Sequence, residues 1–128
     1  MKAIIFDSST LITLALNGLL SIIERISEIT EIKLIITPQV KYESITLPIN
    51  NIKQYELNGL QIQNLLLNGI IEMPNKIEID ETLLEKRTAS LLKELNEAFY
   101  TEEEKMHLIH EGEASCLALS DIATKRGI

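Results

Sequence analysis

Three acidic residues stand where a carboxylate can do chemistry: Asp7, Glu43 and Glu113. Aspartate occurs only at 7, 80 and 121 among 19 acidic residues. Glutamate is the usual helix-surface acid and aspartate a poor helix former, so each aspartate calls for a local reason. Asp7 follows the apolar run Ala3-Ile4-Ile5-Phe6 and precedes the hydroxyls of Ser8, Ser9 and Thr10. A carboxylate there can be a hard-metal ligand, a nucleophile or a helix N-cap. Glu43 follows a second apolar run by about one helical turn, at the same edge as Asp7, and could otherwise be an ordinary solvated acid. Glu113 lies in His110-Glu111-Gly112-Glu113, ahead of a small apolar helix face. The helix dipole alone favours an acid there; alternatively, Gly112 lets the backbone approach closely so that Glu113 points into a cleft. Three carboxylates from distant positions are the donor set that Mg²⁺ or Mn²⁺ takes, with water and substrate phosphate completing the shell. Such an ion can activate water and stabilise the leaving oxygen in phosphodiester cleavage. Asp121 is eight residues beyond Glu113, about 80° away on a helical wheel, and falls outside the site.

The elements that must position these acids follow from periodicity. Ala3–Phe6 and Lys33–Thr37 read as short strands, and Ile70–Met73 as a third ended by Pro74. Helices are expected from Asp7 to Gly18, from Leu20 to Ile29, from Pro38 until Pro48 ends it, and from Ile52 to Leu67. Thr82–Phe99 reads as amphipathic, with Leu83, Leu84, Leu91, Leu92 and Leu95 inward. Thr101-Glu102-Glu103-Glu104 matches a capping box, Gly112 interrupts that segment, and Ala114–Ala123 continues as a helix. Alternation of this kind predicts an α/β domain with a central parallel sheet, whose sites form beyond the carboxyl ends of the strands.

Composition narrows the function classes. The 128 residues are 45% hydrophobic, enough for one domain with one core. A formal charge of −7 argues against a polybasic membrane binder or a general electrostatic nucleic-acid coat. Cys116 is the single cysteine, which fits a reducing compartment. The greasy stretch 11–23 falls short of the ~20 residues a membrane span needs, and Asp7 stops the first apolar run too early for a signal peptide. The expectation is a cytoplasmic protein with no membrane partner, and the Ile-, Glu- and Lys-leaning composition is of the kind found in thermophilic prokaryotes. His107 and His110 have the spacing of a zinc pair, without a second pair to support it. Cys116 reads as a small core residue. Lys41, Lys53, Lys86, Arg87, Lys93, Lys125 and Arg126 could form basic strips for RNA phosphates, or simply solvate helix surfaces.

Three blocks resemble the PIN domain family: Ala3-Ile4-Ile5-Phe6-Asp7-Ser8-Ser9-Thr10-Leu11-Ile12, Ile36-Thr37-Pro38-Gln39-Val40-Lys41-Tyr42-Glu43, and Gly112-Glu113-Ala114-Ser115-Cys116-Leu117-Ala118-Leu119. They come in that family's order and spacing. The resemblance implies a PIN-like three-layer α/β/α fold and a Mg²⁺/Mn²⁺-dependent endoribonuclease, often dimeric and often the toxin of a VapC-type toxin–antitoxin pair. Asp7, Glu43 and Glu113 would be the metal-binding catalytic acids, supported by the hydroxyl of Ser9 or Thr10, and a metal-activated water would attack the phosphodiester without a covalent intermediate. RNA would be the substrate, and an antitoxin protein and a second copy the partners. The family's fourth acid follows a further strand beyond the point where this sequence stops, which implies a C-terminally incomplete fold that binds metal poorly. The same gap would suit a catalytically inactive scaffold or a module binding RNA or protein. Phe6-Asp7 followed by hydroxyls also resembles haloacid-dehalogenase phosphotransferases, but Ser9 stands where their second aspartate would be.

Overall fold

A computed structural model describes residues 2–99 and 110–128, the side chains of 98 and 99 excepted. Strand β1 (Ala3–Ile5) leads through Asp7 into α1 (Ser8–Leu16), and α2 (Ser21–Ile29) returns the chain to β2 (Lys33–Ile35). The two strands pair in parallel, Ala3 with Lys33, Ile4 with Leu34 and Ile5 with Ile35. A continuous helical stretch follows: α3 (Pro38–Lys41), a π-turn (Tyr42–Thr46) and α4 (Leu47–Asn51). A 3-10 turn at Lys53–Tyr55 opens α5 (Glu56–Leu67), and another at Pro74–Ile77 precedes α6 (Glu81–Phe99). The last element is α7 (Glu111–Lys125).

The expected PIN-like α/β/α architecture with a central sheet is not what forms. Among the described residues, helix of all kinds makes up 72%, and strand is confined to two segments of three residues. The protein is mostly helical, built around a two-stranded parallel ribbon. The third expected strand, Ile70–Met73, contributes a single bridge, Glu72 against Ile35. Its backbone is already committed. The N–H groups of Ile70 and Ile71 both return to Leu65 O, at 2.9 and 3.2 Å, closing the end of α5. Pro74 follows immediately and has no N–H to give. Only Glu72 is left to bond across, donating to Leu34 O at 2.8 Å and accepting from Ile36 N at 3.0 Å.

Pro48 does not end the helix that Pro38 begins. It falls in the first turn of α4, where no helical N–H is required of it. The π-turn before it makes this possible, because the Leu47 N–H reaches back five residues to Tyr42 O and the helix restarts in a new phase. π-turns inside helices recur at functional sites, and this one carries Glu43.

The ribbon separates two apolar clusters. Leu34 and Ile36 point into a core with Phe6, Leu11, Ile23 and Ile62. Ile35, on the opposite pleat, packs with Ile79, Leu84, Leu119 and Ile122. β2 is buried on both sides; β1 is not, with Ile4 36% exposed. Along α6, Leu84 is buried but Leu83, expected to face inward, is exposed. Among the described residues, no single helix is long and apolar enough to cross a membrane, and α1 and α2 are bent by 113° at their break. The capping box expected at residues 101–104 lies outside the described residues.

Candidate functional site

Asp7 sits at the carboxyl end of β1 and caps α1. Its Oδ1 accepts from the Thr10 N–H at 2.9 Å and its Oδ2 from the Ser9 hydroxyl at 3.2 Å. Hydrogen bonding from the Thr10 side chain, helped by the Thr10 N–H and the Ser9 hydroxyl, holds the carboxyl below its ordinary 3.8 despite partial burial. Both neighbouring hydroxyl residues therefore act on Asp7, and the half-buried carboxylate is ionised at neutral pH.

Glu43 comes to the same place from the π-turn. Its Oε2 accepts from the Ser8 hydroxyl at 3.2 Å, which ties it to the first residue of α1, next to Asp7. Its Oε1 is buried and has no hydrogen-bond partner among the described residues. A buried acceptor without a partner costs about 1–3 kcal/mol, so this oxygen is where a cation would act. Beneath it lies Gly112: a methyl on the Gly112 Cα would overlap Oε1 and come within 3.0 Å of both Cδ and Oε2 of Glu43. The role of Gly112 is thus to make room for Glu43.

Glu113 begins α7 from an exposed position, and its Oε2 accepts from the His110 N–H at 3.2 Å, closing the helix start. It still shares a groove of about 670 Å³ with Asp7, lined also by Ile5, Cys116, Leu117 and Ser120. Cys116 lies beside this groove and feels all three acids. Burial pushes its thiol up to about 11, and the negative charges of Asp7, Glu43 and Glu113 all push the same way. Its Sγ lies 3.7 Å from Phe6 O. A neutral thiol is a poor nucleophile, so Cys116 should react with iodoacetamide at pH 8 at least ~10-fold more slowly than in the urea-unfolded chain; equal rates would contradict the burial.

The sequence-expected acids are thus brought to one end of β1, although among the described residues no three Asp, Glu, His or Cys side chains are placed to grip an ion together. Glu113 would first have to release the His110 N–H. The donor set and the partnerless Glu43 oxygen fit a hard divalent cation. Sequence reasoning missed Ser8, because three successive hydroxyls after Asp7 left open which one would reach a distant chain segment.

The remaining candidates fall elsewhere. Asp121 is paired with Arg87 Nε at 3.0 Å and Lys125 Nζ at 3.1 Å, clamping α6 to α7, and these bonds hold its carboxyl low. Two of the cations considered for RNA are thereby engaged, and Arg126 donates to Glu78 O at 2.6 Å. His107 lies outside the described residues, so the zinc pairing with His110 has no geometry here.

No protein family, curated protein or solved structure matches the chain, and nothing in these comparisons links it to the PIN family.

Proposed function

We propose that the protein is a divalent-metal-dependent endoribonuclease whose Asp7, Glu43 and Glu113 carboxylates hold Mg²⁺ or Mn²⁺. The observation that carries this reading is the buried Glu43 oxygen without a partner, beside an ionised Asp7, at an end of β1 that all three acids share. The likeness of the three sequence blocks to PIN nucleases supports the same chemistry. A bound ion supplies an activated water and stabilises the leaving oxygen of a phosphodiester. The chain's residues do the positioning. Ser9 and Thr10 keep Asp7 charged, Ser8 and Gly112 seat Glu43, and Glu113 releases the His110 N–H. A toxin role with an antitoxin partner, a homodimer and a cytoplasmic location, which the lone Cys116 suits, belong to the same proposal.

A second reading, an inactive module binding RNA or protein, is favoured by one observation: Glu113 is spent on the His110 N–H. The assay that separates the two is cleavage of a mixed-sequence RNA at low salt with Mn²⁺, with EDTA, and with Mn²⁺ restored. The nuclease reading expects cleavage that EDTA abolishes and Mn²⁺ restores. RNA retained without turnover under all three conditions would establish the second reading instead.

A further inference from the structure

Thr37 and Ser115 are 0% and 3% exposed, yet each carries a hydroxyl, and the two oxygens are 2.7 Å apart across 78 residues of chain. Thr37 caps α3, its Oγ1 accepting from the Val40 N–H at 3.2 Å. Ser115 sits in α7 with its Oγ 2.7 Å from Gly112 O. These partners fix every proton. The Val40 N–H can only donate, and the Gly112 carbonyl can only accept. Ser115 therefore gives its proton to Gly112 O, and Thr37 must give its own to Ser115. The result is a one-way chain, Val40 N–H to Thr37 O–H to Ser115 O–H to Gly112 C=O, with no unsatisfied member in the buried interior.

The chain joins the two elements that meet at Glu43. Thr37 caps the helical stretch that carries Glu43 six residues later, and Gly112 is the residue on which the Glu43 carboxylate lies. Local capping explains each hydroxyl's bond within its own helix. It does not explain the bond between the helices, where two apolar side chains would pack at no desolvation cost. We propose that Thr37 and Ser115 are positioning residues, a buried hydroxyl relay that sets the approach of Glu43 to Gly112 and so the readiness of the site for its cation. The inference rests on Glu43 being a metal-site residue, as proposed above.

The test compares Thr37→Val, Ser115→Ala, their double variant and the rescue variant Thr37→Ser. The control is Thr88→Val, which deletes another buried hydroxyl, bonded to Leu84 O at 2.7 Å on α6. Mn²⁺ affinity is read by electron paramagnetic resonance, and the Glu43 carboxyl ¹³C resonance is read in metal-free protein. Thr37→Val and Ser115→Ala are each expected to weaken Mn²⁺ about 10- to 100-fold, the scale of orienting groups behind metal ligands. The double variant should lose no more than the worse single one, Thr37→Ser should restore binding, and Thr88→Val should leave binding unchanged. The Glu43 resonance should move in the first two variants and not in Thr88→Val. If wild type binds no Mn²⁺, the metal reading fails, and the resonance alone still decides the relay. An unmoved Glu43 resonance in Thr37→Val, or an equal shift in Thr88→Val, overturns it.

Discussion

Gly112→Ala is expected to weaken Mn²⁺ binding about 100-fold while leaving the fold about as stable as before. Gly112 has ordinary helical backbone, and alanine in such a position favours the helix by up to ~1 kcal/mol. The new methyl meets the end of the Glu43 side chain, which can swing towards solvent, where its buried oxygen would regain hydrogen bonds. Crowding of this kind costs ~1 kcal/mol or more when the neighbours cannot give; a flexible carboxylate can. Stability in urea should therefore change by less than ~1 kcal/mol in either direction. The site, in contrast, loses its seated Glu43, and metal affinity should drop ~100-fold. In a Glu43→Ala background the same glycine change should cost nothing further and should stabilise the helix. If Gly112 serves only the helix, alanine there raises stability and leaves metal binding untouched, and that result would contradict the account.

Asp7→Asn carries the largest expected effect on activity. Asparagine caps helices about as well as aspartate, so α1 keeps its bond to the Thr10 N–H and the fold should hold to within ~0.5 kcal/mol at neutral pH. The charge is lost. Metal-dependent RNA cleavage should fall at least ~100-fold, the scale of losing several kcal/mol of charge stabilisation in the transition state. The pH dependence has a definite sign. The folded pKa of Asp7 lies below its ordinary 3.8, so its contribution to stability is full above that value and disappears as the pH falls through the folded pKa. Acid unfolding of Asp7→Asn should lack this component, seen as a shallower loss of stability below about pH 4.

Much of what positions the site was legible in the residues. The run Ala3–Phe6, the acid after it and the run Lys33–Thr37 define the ribbon, because aliphatic runs flanked by caps leave few alternatives. The third strand was not legible. Its apolar content suits a strand, but the turn at Asn68-Gly69 sends two of its N–H groups back into α5, a commitment that side-chain pattern does not record. With that strand goes the central sheet. The π-turn was invisible for a related reason: Pro48 marks a break in hydrogen bonding, and sequence alone does not say whether the chain stops there or widens by one residue and continues. Gly112 was legible as a close approach, with the wrong guest. Its missing side chain admits Glu43 from the π-turn, while Glu113 caps its own helix. Thr37 read as the end of the second strand and Ser115 as one more residue of the last helix, since nothing local shows that two buried hydroxyls 78 residues apart will meet.

The most direct measurement of the central claim is the anomalous difference map of a crystal grown with Mn²⁺. The account predicts one strong peak at the carboxyl end of β1, with oxygens of Asp7, Glu43 and Glu113 within about 2.0–2.4 Å of it and Glu113 released from the His110 N–H. A map at saturating Mn²⁺ with no peak there, and Glu43 still lying on Gly112 as it does without metal, would contradict it.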